Sequence, residues 1–353
     1  MIIKMKIFKK ILLIIMVFII ICTIFVSFDR KVLSINIQSN LRKPIKVGVV
    51  IHSFTPYMSL IRQNLEEIEK ESDGNVKFTF WDSDNNEAKQ SEIIDKLLLE
   101  ENVDLILLNL VNLKEDVIKT IIDKIKQNEI PVILFFYLKP ANMDAIKQYD
   151  KAFVVGLDFN EAGKLQGEIL VDEWNLNKEA IDKNKDNILQ YVMLTGPRSN
   201  EMSEKITQSS ILAINNAGIQ TEEIASPNAN WKREIAKQAI ESLYLRYNGK
   251  IEAIIASFDD MALGAVDALQ QYGYNKGDKT KMIPVIGVSG LPEVKEYIKK
   301  GFMTGSVETD PRVLAKALYT VGMNLVYGRE PLDGTDYKLN SENSIKFNFE
   351  KYP

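Results

Sequence analysis

Two residue types on which many enzymes depend are almost missing from this chain. Its 353 residues contain one cysteine, Cys22, and one histidine, His52. One thiol cannot close an intramolecular disulfide, and one thiol with one imidazole cannot assemble a Cys/His zinc site. The same scarcity speaks against a thiol nucleophile and against Ser-His-Asp machinery. What remains available to an enzyme is carboxylate, lysine or tyrosine chemistry. Phosphate-binding signatures are missing too: no GxxxxGK[ST] loop occurs and no GxGxxG follows a strand, nor is there an HExxH or a DFG-like set. Positive charge is not in excess, with 44 Lys and Arg against 48 Asp and Glu and a net charge of -4. That balance argues against a nucleic-acid partner, which calls for a clustered basic face.

What is present describes a soluble globular protein, 46% apolar and 26% charged, and long enough for two domains. At the N-terminus Lys4, Lys6, Lys9 and Lys10 precede an uncharged run from Ile11 to Phe28, ended by Asp29 and Arg30. About 18 apolar residues are the minimum for a helix crossing a ~30 Å hydrocarbon core. The leading lysines would hold the N-terminus in the cytoplasm and place the remainder outside. Val26-Ser27-Phe28 makes a poor signal-peptidase site, and Ile21 stands where a lipoprotein needs a small residue before Cys22. Residues 1–28 are therefore expected to be an uncleaved anchor, with a cleaved signal peptide as the alternative. Residues 29–44 follow as a polar membrane-proximal linker.

From Ile45 onward short runs rich in β-branched residues alternate with segments of helical period. KVGVVI, Asp104–Leu110, Pro131–Phe136, Ala253–Ala256 and Ile283–Val288 are mostly apolar, as strands buried on both faces are. Helical spacing separates them, in Met58–Lys70, Ala88–Leu99, Val117–Lys126, Glu161–Trp174 and Asp260–Tyr272 among others. A βαβα order of this kind implies parallel sheets covered by helices. The number of units exceeds one open sheet of usual size, so two doubly wound α/β lobes are expected, with ligand bound where their strand ends face each other.

Three local patterns carry candidate chemistry. Asp182, Asn184, Asp186, the Ile188 carbonyl and Gln190 place oxygens at alternating positions, as the first part of a calcium loop does. Asn187 stands where such a loop needs a left-handed residue, and Met193 where it needs a bidentate Glu. The pattern is equally that of a solvated turn between a helix and a strand. Tyr57 and Trp231 lie at helix starts after loops, where an aromatic face can pack on the C–H face of a sugar or simply join the core. Asp259 and Asp260 could be paired as acid and base, although adjacent residues at a helix start point in different directions and helix capping accounts for them better.

Taken in order, KVGVVIHSFTPYMSLIRQ, DSDNNEAKQSEIIDKLL, YDKAFVVGLDFNEAGKLQGEIL, DKNKDNILQYVMLTG, KIEAIIASFDDMALGAVDAL and IPVIGVSGLPEV resemble the galactose/glucose-binding members of the type I periplasmic binding proteins over Ile45–Ile345. The resemblance implies two lobes joined by three hinge crossings near Gly156–Phe159, Glu308–Pro311 and beyond Leu339. It assigns 45–156 with 309–340 to the first lobe and 157–308 with 341–353 to the second. It also implies calcium bound by the loop 182–190, with Glu252 supplying the missing carboxylate. The two stacking aromatics fall on Tyr57 and Trp231. The polar sugar ligands do not survive: their places fall on Phe136 or Tyr137, Asn200, Met202, Ile206, Phe258, Ser289 and Thr309. Tyr57, Trp231, Asn200, Thr309 and Ser289, with Arg198 and Glu308 beside them, are thus the expected ligand-binding residues of a non-catalytic solute-binding protein. Its partners would be a sugar-like solute and a membrane permease or sensor. A protein-docking module that binds no solute is the alternative.

Overall fold

The structure is a computed structural model, and it describes residues 43–353 apart from 198–199, 248 and 340–343. The expected anchor, nearly all of the linker, and Arg198 lie outside the described residues. Among the described residues no helix is long and apolar enough to cross a membrane.

Two six-stranded sheets organise the chain. The first takes β1 (Ile45–Ile51), β2 (Val76–Asp82), β3 (Leu105–Leu108), β4 (Val132–Phe136), β5 (Ala152–Leu157) and β11 (Ile345–Phe347) in the order β11-β5-β4-β3-β1-β2, all parallel. The second takes β6 (Ile188–Leu194), β7 (Gln220–Ala225), β8 (Ala253–Ala256), β9 (Val285–Ser289), β10 (Gly305–Glu308) and β12 (Glu350–Tyr352) in the order β12-β10-β9-β8-β6-β7. There β12 alone runs antiparallel to its neighbour.

The apolar strands are apolar because both faces are covered. In β3, Leu105 and Leu107 join the larger core, while Ile106 and Leu108 join a separate cluster on the opposite face. In β4 the split is Ile133 and Phe135 against Val132 and Leu134. Period-two side-chain alternation between two apolar environments leaves no polar position to read. The chain leaves the first sheet at Asp158, which N-caps the helix Phe159–Ile181. That helix packs on Glu201–Asn216 so closely that a Cβ on Gly163 would lie 2.2 Å from the Ile206 carbonyl oxygen. The chain returns between Glu308 and Pro311, where the helix Pro311–Val326 packs against Pro56–Glu71 on the first lobe.

Two expectations are corrected. Residues 341–353 were assigned to the second lobe, yet Ile345–Phe347 pair with Val155–Leu157 in the first sheet, so the third crossing falls at Asn348–Phe349. The strand β7 was not foreseen at all: QTEEIA is an edge strand with no fully buried side chain, so burial imposes no apolar pattern on it.

Candidate functional site

The carboxyl ends of β1, β4, β8 and β9 converge between the lobes, where open parallel sheets place their ligands. Past the end of β1 stands His52, which lines a cavity together with Tyr57, Phe136, Met202, Trp231, Phe258, Asp260 and Ser289. Its volume is about 30 Å³, room for a water molecule or two and far below the ~300 Å³ of a typical ligand pocket. Aromatic rings fill the remainder. Phe159 lies 5.2 Å from Phe136, 5.8 Å from Tyr137, 6.3 Å from Phe258 and 5.6 Å from Phe349, ring centre to ring centre. Trp231 meets Phe258 at 6.2 Å and His52 at 5.5 Å, both edge to face. Rings of both lobes are thus in contact, and at the edge of the interface Lys139 of the first lobe is ion-paired with Glu201 of the second.

Three lining residues hold a backbone conformation that L side chains rarely adopt: Phe136 has φ 85°, Trp231 φ 55° and Ser289 φ 131°. Each costs on the order of 1–3 kcal/mol and persists only where the surroundings enforce it, a condition that concentrates at binding sites. For Trp231 the enforcement is visible. Asn230 is also left-handed at φ 51°, and its N–H donates to the Asn228 side chain at 2.9 Å. The indole Nε1 packs so tightly on Gly196 that a Cβ there would lie 2.3 Å away. Two residues on, the Arg233 guanidinium is held by Asp267 at 2.6 Å and Glu293 at 2.9 Å, and its backbone N–H donates to Asp260 at 3.2 Å.

Among the described residues, polar groups in the cavity are few. His52 is 7% exposed, and its ring Nδ1 meets Asn109 Oδ1, which also accepts the His52 backbone N–H at 3.3 Å. Burial holds its pKa below the ordinary histidine value. Its Nε2, like Trp231 Nε1, is buried with no hydrogen-bond partner. The Tyr57 hydroxyl donates to the Thr309 carbonyl at 3.3 Å, tying the first lobe to the hinge, and burial pushes that phenol well above its usual range.

Asp259 and Asp260 do not act as a pair. Asp259 is fully buried and accepts from the Ser306 hydroxyl at 2.6 Å and the Leu291 N–H at 2.9 Å, bracing the loop after β9. Burial raises its pKa to about 6. Asp260 faces the start of Arg233–Tyr247, so each carboxylate caps a neighbouring segment instead of its own helix.

Of the expected ligand-binding residues, Tyr57, Trp231 and Ser289 line the cavity, but Asn200 and Thr309 do not. Asn200 N-caps the helix Glu201–Asn216, its side-chain oxygen accepting from the Ser203 N–H at 3.0 Å. Thr309 and Glu308 face a separate open groove of about 930 Å³ along the hinge, where Glu308 is ion-paired with Lys295. His52 and Asp260 were missed as lining residues.

At the far end of the second lobe the loop 182–190 folds on its own carboxylates. Asp182 accepts the N–H groups of Asp186 and Asn187, each at 3.1 Å, while Lys185 and Asn187 both take φ 62°. Glu252 Oε1 accepts the Lys183 N–H at 2.8 Å and Oε2 the Gln190 N–H at 3.1 Å. The side-chain amides of Asn184 and Gln190 donate to Asp186 at 2.8 and 2.9 Å. Gln190 also reaches Glu222 of the unforeseen strand β7 at 3.5 Å. The expected set is therefore together, with Ile188 opening β6 beside it. Among the described residues no three His, Cys, Asp or Glu side chains are already arranged as metal ligands. Burial, then the charges of Asp182 and Asp186, raise the pKa of Glu252, which is 2% exposed.

Residues 47–330 match the family model described as periplasmic binding protein domain. The chain belongs to the periplasmic binding protein family. It is 34% identical over 298 residues to the D-galactose/methyl-galactoside binding periplasmic protein of Haemophilus influenzae, covering 83% of this chain and 85% of that relative. Its fold is similar to a solute-binding protein of Actinobacillus succinogenes with bound D-allose, at TM-score 0.70 and 21% identity over 88% of this chain and 97% of the other. A solute-binding protein of Bacillus halodurans with bound myo-inositol gives 0.68 and 21%, over 88% and 96%. These relatives are binding proteins, in keeping with the expectation that this chain is not an enzyme. In this binding protein Phe136, Met202 and Phe258, which occupy places where the resemblance looked for polar sugar ligands, all line the cavity.

Proposed function

We propose that this periplasmic binding protein captures a small sugar-like solute between its lobes, outside the cytoplasmic membrane, and presents it to an ABC permease or a membrane sensor. The observation that carries the reading is the cavity: it lies at the strand ends of both sheets, and two residues that line it, His52 and Trp231, carry buried ring nitrogens, Nε2 and Nε1, with no partner. A buried polar atom without a partner costs about 1–3 kcal/mol, and an occupant with hydroxyl groups removes that cost. Tyr57 and Trp231 supply the apolar faces on which sugar C–H groups pack. The relative from Haemophilus influenzae, named for D-galactose and methyl-galactoside, supports the solute class. Residues 11–28 support retention at the membrane, because their length and leading lysines suit a spanning helix.

The loop 182–190 fits a structural calcium ion. Its donors are all oxygens, and a half-turn of the Asn184 and Gln190 amides would present their oxygens beside those of Asp182, Asp186 and Glu252, with the Ile188 carbonyl completing the set. A divalent cation would there neutralise carboxylates that now crowd one another, far from the cleft.

Thermal melts against D-galactose, D-glucose, D-allose, myo-inositol and xylitol test the solute reading. At a hundredfold excess over Kd a bound solute stabilises by about 2.7 kcal/mol, an upward shift of several degrees. The small size of the cavity and the rings packed around it favour one rival, a docking module whose lobes stay shut without solute. A flat response across the whole panel would support that rival.

A further inference from the structure

We propose that His52 is the specificity-determining residue of the cleft: Asn109 holds it as the neutral Nδ1–H tautomer, so that Nε2 accepts one hydrogen bond from a neutral, sparsely hydroxylated solute, and anions are refused. The proposal rests on the solute-binding reading above and sharpens it.

The tautomer follows from the hydrogen bonds around Asn109. Its amide nitrogen donates to the Phe135 carbonyl at 3.3 Å, and its Oδ1 accepts the His52 backbone N–H at 3.3 Å. The amide is thereby oriented, with Oδ1 toward the imidazole, and only a protonated Nδ1 makes the ring contact favourable. A neutral imidazole carries one N–H, so Nε2 keeps a bare lone pair. That atom is buried without a partner, in a residue that is 7% exposed and lines the cavity. Burial of the ring disfavours the imidazolium.

The lining then defines the solute. Among the described lining residues there is no Lys or Arg, while Asp260 contributes a carboxylate. Against these residues an anion would meet acceptors and no cation, and its desolvation would go uncompensated. A fully hydroxylated hexose fares little better, since most of its hydroxyls would face Tyr57, Phe136, Met202, Trp231 and Phe258. A neutral solute with a broad C–H surface and a hydroxyl directed at Nε2 satisfies the site.

Because the chain has a single histidine, the full-length protein labelled with ¹⁵N-histidine and carrying no histidine tag reports His52 alone. At pH 7 its spectrum should show a protonated Nδ1 and an unprotonated Nε2, whose resonance moves when a neutral solute is added. An Nε2–H tautomer or an imidazolium would overturn the proposal. Solutes for the second arm are methyl β-D-galactoside, 6-deoxy-D-galactose and 2-deoxy-D-galactose, against D-galacturonate and D-galactose 6-phosphate. A neutral member should bind, and His52→Phe should weaken it at least tenfold; an unchanged affinity, or tight binding of either anion, overturns the assignment. If nothing in the panel binds, the solute-binding reading falls and the ligand half with it, while the nitrogen spectrum still decides the tautomer.

Discussion

Gly196→Ala tests the cleft most sharply, because it acts on Trp231 through one added methyl group. The new Cβ would lie 2.3 Å from Nε1, 2.7 Å from Cε2 and 3.1 Å from Cζ2 of the indole. Ordinary contact between such atoms is about 3.5–4.0 Å, so the ring must retreat by roughly 1 Å or more. It has little room to do so: His52 and Phe258 lie edge-on at 5.5 and 6.2 Å, and the left-handed backbones of Asn230 and Trp231 fix its root. Overpacking of this kind costs about 1–3 kcal/mol. Where the strain falls on the closed, occupied cleft, the same energy weakens solute binding roughly 5- to 150-fold. Calorimetry with whichever solute stabilises the wild type measures the loss, and urea unfolding measures the cost to the free protein. The decisive comparison is a double-mutant cycle. In a Trp231→Ala background the clash is gone, and Gly196→Ala should cost less than about 0.5 kcal/mol. If the two substitutions were additive, the packing of Trp231 on Gly196 would not be what shapes this wall, and the reasoning would fail.

Phe159→Ala should cost about 3–5 kcal/mol in urea unfolding, since the ring is 2% exposed and meets four other rings across the interface and hinge; small-angle scattering should also show a larger radius as closure loosens, and an unchanged radius would refute the bridging role. For Asp259, burial lifts the folded-state pKa from 3.8 to about 6, so the protonated carboxyl favours folding. That contribution is complete below pH ~4 and is lost as pH rises through ~6, on the order of 3 kcal/mol. The stability of the wild type minus that of Asp259→Asn should fall by that order between pH 4 and 7, and parallel pH curves would contradict it. Chelation by EGTA should lower the Tm of the wild type by several degrees and leave that of Glu252→Gln nearly unmoved; equal responses of the two proteins would count against calcium at 182–190.

Much of the fold was legible because burial on two faces forces a strand to be apolar along its whole length, as in β3 and β4 and in β1 from Val47 onward. Where burial is one-sided the signal goes. Strand β7 lies at the sheet edge with Gln220, Glu222 and Glu223 exposed, and β11 and β12 are three residues each. The misplaced ligand residues fail for a local reason. Asn200 precedes a helix, where an Asn is first of all an N-cap, and its side chain is used there. The clustering of the residues of loop 182–190 was readable because alternate spacing in a short turn brings their oxygens together, whereas Glu222 comes from the strand that was not seen. His52 carried one signal, as the only histidine, directly after a buried strand whose end had to face the cleft. Nothing local distinguished it from a core histidine, since its partner Asn109 is 57 residues away.

The backbone strain was illegible for a deeper reason, and it bears on function. Phe136, Trp231 and Ser289 are not residues chosen for left-handed turns; tertiary packing imposes that conformation on them. Strain at three strand or loop ends and two unpartnered nitrogens therefore share one cavity of about 30 Å³. Lobes that close on an empty cavity keep all of these costs. Lobes that close on a solute donating to Nε2 lose one of them and gain apolar contact in addition. A solute shifts a two-state equilibrium only through such a difference between the states, so on the proposed solute-binding reading His52 and Trp231 are the residues through which occupancy would be converted into closure.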